Sequence, residues 1–225
     1  MTKILIFDSG ALITLSMNGL TYLLEKLKKT FHGKFIITEE VKYEVIDRPI
    51  KVPRFELEAL RIKKLLTSNI LELPSSLNID NKTIKSKTRK FMEIANQSVS
   101  SKGRWIKIIS EGETSCLALS SELTKRNIEN IIAIDERTTR ILAEKPQNLG
   151  KLMSRKLHKE VQISNKALNE FKQFKFIRST ELVLVAHKKG LLNIKGPKAL
   201  EAVLYATKFK GSSVSFDEIN ILKKM

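Results

Sequence analysis

Four acidic residues in this chain stand where a carboxylate can do more than solvate a surface. Asp8 halts the apolar run of "KILIFDSGALITL", and Asp135 halts "NIIAID" in the same way. Each ends a strand-like stretch just before a helix, and in an open parallel sheet that edge is where ligands bind. Aspartate is also a favoured helix N-cap, so each has a purely structural reason to be there too. Glu44, in "ITEEVKYEVID", borders the stripe formed by Val41 and Val45, with Glu40 one turn earlier on the same general side. It either reaches into a cleft or lies on a solvated helix face. Glu113, in "SEGETSCLALSSEL", completes a Ser110-x-x-Glu113 capping box. Gly112 beside it costs about 1 kcal/mol relative to alanine inside a helix, which points to something approaching the backbone closely. Four converging carboxylates repel unless a cation neutralises them, and hard ions such as Mg²⁺ or Mn²⁺ take such oxygen ligands. A pair of such ions about 4 Å apart clamps the attacking and leaving oxygens of a phosphodiester.

The elements needed to position these acids follow from pattern. Residues 2–7 read as a buried strand, followed by a helical stretch from Ala11 to about Lys29 that breaks near Asn18-Gly19. "KFII" (34–37) is a short strand, with Thr38 as N-cap and Glu39 and Glu40 suiting the positive end of the next helix. Residues 54–68 carry leucines at helical spacing, and "NILEL" (69–73) is a strand closed by Pro74. Residues 74–109 are polar and rich in Ser and Lys, with at most one helix, around Ser86–Gln97. A helix over about Glu111–Arg126, the strand "NIIAI" (130–134) and a helix from Glu136 follow. The remainder reads mostly helical, with one short strand near Val161–Ile163 or Phe174–Ile177. Strands alternating with helices predict an α/β fold with a parallel sheet.

The bulk properties fit that reading. The chain has 225 residues, enough for a sizeable core, and 41 basic against 24 acidic residues give a net charge of +17. Such an excess favours polyanions, nucleic acid first, with an anionic membrane surface or simple solubility as the alternatives. The charge is uneven. Residues 79–110 and 151–178 each carry eight basic against two acidic residues, and they flank a net-acidic stretch, 111–150. Basic margins of this kind hold a nucleic-acid backbone by counterion release; Lys87, Arg89, Arg104, Arg155 and Lys156 are the candidate RNA-binding cations within them. The single cysteine, Cys116, excludes an intramolecular disulfide framework and a multi-cysteine zinc site. No apolar run approaches a membrane span, and Asp8 interrupts any signal-like stretch, so a cytoplasmic location with no membrane partner is expected.

"LIFDSGALITL", "FIITEEVKYEV", "ISEGETSCLALSSEL" and "IIAIDERTTRILAE" resemble, in order, the four motifs of PIN-domain nucleases, including the VapC-type toxin ribonucleases. Asp8-Ser9 matches the family's strand-ending Asp and small hydroxyl residue, and Val41 to Glu44 its Val-x-x-Glu, favouring Glu44 over Glu40. Gly112-Glu113 matches the Gly-Glu that opens a later helix; Asp135, Glu136 and Arg140 match the last motif. The match covers roughly residues 2–73 and 108–145.

The resemblance implies a single PIN-like domain over 1–225, a three-layer α/β/α fold around a central parallel sheet. Residues 74–109 would be a basic insertion. Residues 146–225 would complete and extend the fold with a helical tail similar to those of archaeal PIN proteins. It implies a Mg²⁺- or Mn²⁺-dependent endoribonuclease in which Asp8, Glu44, Glu113 and Asp135 are catalytic and hold the metals, with Ser9, Glu136 and Arg140 auxiliary. Cleavage would leave a 5′-phosphate and a 3′-hydroxyl. The partners expected are RNA, with DNA as the other nucleic acid admitted, a protein antitoxin in a toxin–antitoxin setting, and a second copy of the chain.

Other residues carry less. His32, His158 and His187 have no mutual spacing for metal or triad chemistry and are expected at the surface. Cys116 is expected in the core. Arg137 and Arg140 either contact phosphate or neutralise the neighbouring acids. Trp105, between Arg104 and Lys107, is expected to anchor the 74–109 segment in the core, base stacking being the alternative. A non-catalytic nucleic-acid-binding protein of the same fold is the first rival. A phosphatase of the haloacid-dehalogenase type is remote, because Gly10 stands where its second aspartate is needed.

Overall fold

A computed structural model of the chain describes residues 3–164 and 168–225. Thr2, the expected start of the first strand, lies outside the described residues. At the centre is a parallel sheet of five strands: β1 (Lys3–Phe7), β2 (Gly33–Ile36), β3 (Leu71–Glu72), β6 (Asn130–Ala133) and β8 (Phe176–Ile177). Their order is β3-β2-β1-β6-β8. β1 pairs with β2 on one side (Ile4 beside Lys34) and with β6 on the other (Ile4 beside Asn130). Because every pair is parallel, all five strands end on one edge. Ile4 to Phe7 are all buried, the continuous apolar pattern of a strand covered on both faces.

The helices start where capping chemistry places them. Asp8 caps α1 (Ser9–Met17) by accepting from Gly10 N at 3.0 Å. The predicted break separates α1 from α2 (Tyr22–Thr30), and Gly19 adopts the positive φ that ends a helix at no steric cost. Thr38 caps α3 (Glu39–Lys42) by accepting from Val41 N. Beyond α3 the helix widens into a π-helical turn over Tyr43–Asp47, closed by Arg48 N donating to Tyr43 O at 3.0 Å. Pro49 has no N–H with which to continue it. α4 follows over Pro53–Thr67.

The 74–109 segment differs from its polar appearance. α5 spans Asn81–Asn96, starting more than a turn before the expected Ser86, with Asp80 as its cap. Its buried positions, Ile84, Thr88, Phe91 and Ala95, fall at helical spacing. That stripe packs along α6 (Glu111–Lys125). Phe91 also meets Phe171 and Phe174 at ring-centre distances of 5.7 and 5.6 Å. β4 (Val99–Ser101) and β5 (Arg104–Trp105) then form a hairpin around Lys102 and Gly103, both at positive φ. Trp105 is 59% exposed, so it does not anchor this segment; its strand is a two-residue edge, and Phe91 supplies the anchor instead.

α7 (Arg137–Glu144) and α8 (Leu149–Leu157) continue from β6. Both alternatives for a late strand form: β7 (Gln162–Ile163) pairs with β4 in a small antiparallel sheet, and β8 joins the main one. α9 (Ser179–Lys188), α10 (Ala199–Phe209) and α11 (Phe216–Leu222) complete the chain. Cys116 is buried and the three histidines are exposed, as expected. Among the described residues no helix is long and apolar enough to cross a membrane.

Truncating a buried phenylalanine in a close-packed core costs about 3–5 kcal/mol. Phe91→Ala is therefore expected to lower the melting temperature by about 6–15 °C, readable by calorimetry; a shift under about 2 °C would show that α5 is an appendage.

Candidate active site

Asp8 and Asp135 follow neighbouring parallel strands, so topology alone sets them side by side at the ligand-binding edge. Gly10 lies between them: a Cβ there would sit 3.2 Å from Asp8 Oδ2 and 4.0 Å from Asp135 Cβ. Both aspartates are 2% exposed.

Glu44 arrives from the π-helical turn. One extra residue in that turn changes the azimuth of the side chains, and such turns are frequent at functional sites. The Glu44 carboxylate lies directly over Gly112, where a Cβ would come within 2.5 Å of Oε2 and 2.8 Å of Oε1. This is the close approach that a glycine in the first turn of α6 implied. The two helices are fixed to each other by the buried Thr38 and Ser115 hydroxyls, 2.6 Å apart.

Glu113 does not close the expected reciprocal capping box. Ser110 Oγ accepts from Glu113 N at 3.2 Å and donates to Glu113 Oε1 at 2.9 Å, and Thr139 Oγ1 donates to Oε2. The carboxylate is thus turned toward α7 and the sheet edge.

Burial and neighbouring charge both act on the acids at this edge. Burial first, then the charge of Glu113, then that of Glu44, push Asp8 from 3.8 up to about 8. Burial and the charges of Glu136 and Glu44 push Glu113 up against its hydroxyl donors. Cys116 lies amid the group: after burial, the charges of Asp8, Glu44 and Glu113 each raise its thiol. Asp8 Oδ1 is buried without a hydrogen-bond partner.

Asp135 is held differently. Its Oδ1 accepts from Ser179 N at 2.9 Å, Ser179 Oγ at 3.0 Å and Ser212 Oγ at 2.9 Å, and Oδ2 from Ser179 Oγ at 2.7 Å. It does not cap the following helix; Glu136 does, accepting from Thr139 N at 3.3 Å and from Thr138 N. Glu136 also pairs with Lys156 at 3.0 Å. The N-terminus of α9 and the loop after α10 thereby lock onto the sheet edge through one carboxylate. Sequence reasoning does not single out Ser179 or Ser212; the only signal is a serine at the start of the α9 pattern.

Of the other candidates, Ser9 is half-buried, and its backbone N–H favours the charged form of Asp8. Arg140 Nη2 donates to Ser213 O at 3.2 Å, and its Nε is buried without a partner. Lys87 is tied to Glu122 at 2.7 Å, while Arg89, Arg104 and Arg155 are exposed.

Asp8, Glu44 and Glu113 offer the oxygen donors that hard divalent cations take, and Asp8 Oδ1 is buried without a partner. Among the described residues no group of three or more His, Cys, Asp or Glu side chains is placed to hold a metal ion. The fit is thus one of donor type and placement, with Asp135 as a hydroxyl-bound neighbour. The chain matches no family model, no curated protein and no solved structure.

Asp8 binds its proton far more tightly folded than unfolded, so its contribution to stability is complete below 3.8 and is lost as pH rises to about 8. In chelator, the melting temperature is expected to fall across that window, and Asp8→Asn to remove most of the fall. Parallel pH profiles for the two proteins would contradict this.

Proposed function

We propose that this protein is a divalent-metal-dependent ribonuclease that hydrolyses RNA phosphodiester bonds, as its resemblance to PIN-domain nucleases implies. The observation that carries the reading is geometric: Asp8 and Asp135 stand buried at the ends of neighbouring strands on the carboxyl edge of the sheet, with Gly112 clearing space for the Glu44 carboxylate. Bound Mg²⁺ or Mn²⁺ would supply a water of lowered pKa as nucleophile and a counter-charge for the phosphate. Asp8, Glu44 and Glu113 would hold the ion. Ser110 and Thr139 orient the Glu113 carboxylate. Ser179 and Ser212 fix Asp135 beside Asp8, where its charge adds to the pull on a cation. The net charge of +17 draws a polyanionic substrate toward this acidic centre. A toxin role with a protein antitoxin, a 5′-phosphate product and a cytoplasmic setting follow from the same resemblance.

The second reading is a non-catalytic nucleic-acid-binding protein. It is favoured by the saturation of Asp135 with hydroxyl donors and by the lack of a three-ligand group among the described residues.

Two experiments separate them. The Asp8→Asn, Asp135→Asn double variant is expected to stay folded and to lose Mn²⁺-dependent RNA cleavage by about two orders of magnitude or more; undiminished cleavage contradicts the nuclease reading. Gly112→Ala removes a residue that costs about 1 kcal/mol in a helix but drives a methyl into the Glu44 carboxylate. It is expected to lose the thermal stabilisation that Mn²⁺ gives the wild type, while melting in chelator no lower than about 3 °C below it. Unchanged Mn²⁺ stabilisation would place Glu44 outside the site.

A further inference from the structure

A cleft of about 500 Å³ lies on the far side of the loop that holds Asp135. Its walls include Arg137 and Arg140 of α7, Lys145, Lys208 of α10, and Ser212–Ser215 of the connecting loop. Ser212 donates to Asp135 Oδ1, and Ser213 O accepts from Arg140 Nη2, so one loop forms both the acid's cage and the cleft's wall. Arg137 lines a second depression with Lys151 and Arg155 of α8, which extends the cationic surface beyond the first. Among the described residues, Arg137, Lys145, Lys151 and Arg155 form no ion pair. Two acids also line the cleft: Glu218 is occupied by Arg178 at 2.5 Å, and Glu144 lies near Arg140.

Beside Lys208, which lines the cleft, lies a cluster of aromatic rings. Phe209 is 71% and Phe216 54% exposed, unusual for phenylalanine. Their rings lie 6.3 Å apart, with the half-buried Tyr205 at 6.3 and 6.1 Å from them. Lys208 Nζ donates to Val214 O and sits 4.5 Å from the centre of the Phe216 ring, and Lys208 also lines the cleft, so rings and cations are continuous.

We propose that this surface is a binding site for single-stranded nucleic acid, with bases stacked on Phe209 and Phe216 and the backbone running through the cleft over Arg137, Arg140, Lys145 and Lys208 toward Asp135. Exposed rings beside a cationic groove are the combination that sequence-tolerant single-strand binding uses, each stacked base contributing a substantial share of affinity. A duplex keeps its bases stacked on each other and offers the rings nothing. The inference deepens the ribonuclease reading by naming the strandedness of the substrate, and it lies on α10, α11 and their loop rather than on the basic 79–110 segment.

The test is fluorescence anisotropy of a labelled 12-nucleotide oligouridylate in chelator, so that binding is read without cleavage. Phe209→Ala, Phe216→Ala is expected to weaken binding about tenfold or more and to leave binding of a 12-base-pair RNA duplex unchanged. Arg137→Ala, Lys145→Ala is expected to weaken both and to lower the salt slope for the single strand by about 1–2. Melting curves confirm that each variant is folded. Wild-type affinity in the aromatic variant overturns the inference, as does equal loss for strand and duplex. Binding of phosphatidylserine vesicles through the same residues, with no oligonucleotide binding, also overturns it. Single-strand binding through this surface without Mn²⁺-dependent cleavage would sink the ribonuclease reading and leave this one standing; cleavage with unaltered binding in the variants does the reverse.

Discussion

A buried aspartate with half-buried glutamates close by is the constraint on which this molecule turns. Asp8, Glu44 and Glu113 come from a strand end, a π-helical turn and a helix start, and each raises the cost of ionising a neighbour. Leaving a carboxylate buried and unpaired is strongly unfavourable, and an interior without a function for it would replace it with an apolar residue. Here the fold does the opposite. It places a glycine in the first turn of α6 to admit Glu44, and it ties α3 to α6 through a buried pair of hydroxyls.

The fourth acid organises the chain rather than adding to the strain. Asp135 collects hydrogen bonds from Ser179 and Ser212, so segments far along the chain close over the sheet edge. The same closure places the almost buried Arg178 between the partly exposed Glu181 and Glu218; against burial, the Ser215 backbone N–H and Arg178 hold Glu218 down at about 2, and the pair pins α11 to the start of α9. Asp135, the cleft with its cations and the aromatic rings therefore share one short loop.

Much of this is legible in the residues. The apolar runs ending at Asp8 and Asp135 mark both central strands of the sheet, because a strand buried on both faces needs no alternation to be recognised. Gly112 predicts a close approach, and Glu44 is what approaches. The helix of the 74–109 segment starts earlier and runs longer than its pattern suggests, because its apolar stripe of Ile84, Phe91 and Ala95 is diluted by lysines that snorkel on the outer face. Trp105 departs from expectation for the opposite reason: residue type suggests burial, but a two-residue edge strand has no interior to offer. The π-helical turn is not legible, since it depends on how α3 meets Pro49 and α4 rather than on a periodic pattern. Nor is the serine cage around Asp135, whose parts lie 44 and 77 residues away in sequence.

The proposed ribonuclease needs Asp8, Glu44 and Glu113 to form one cation site. Anomalous diffraction from crystals soaked in Mn²⁺ tests it most directly. A dominant Mn²⁺ peak in contact with Asp8 Oδ1 and with both glutamates is expected. Peaks only at surface carboxylates, or a peak that survives Asp8→Asn unchanged, would contradict it.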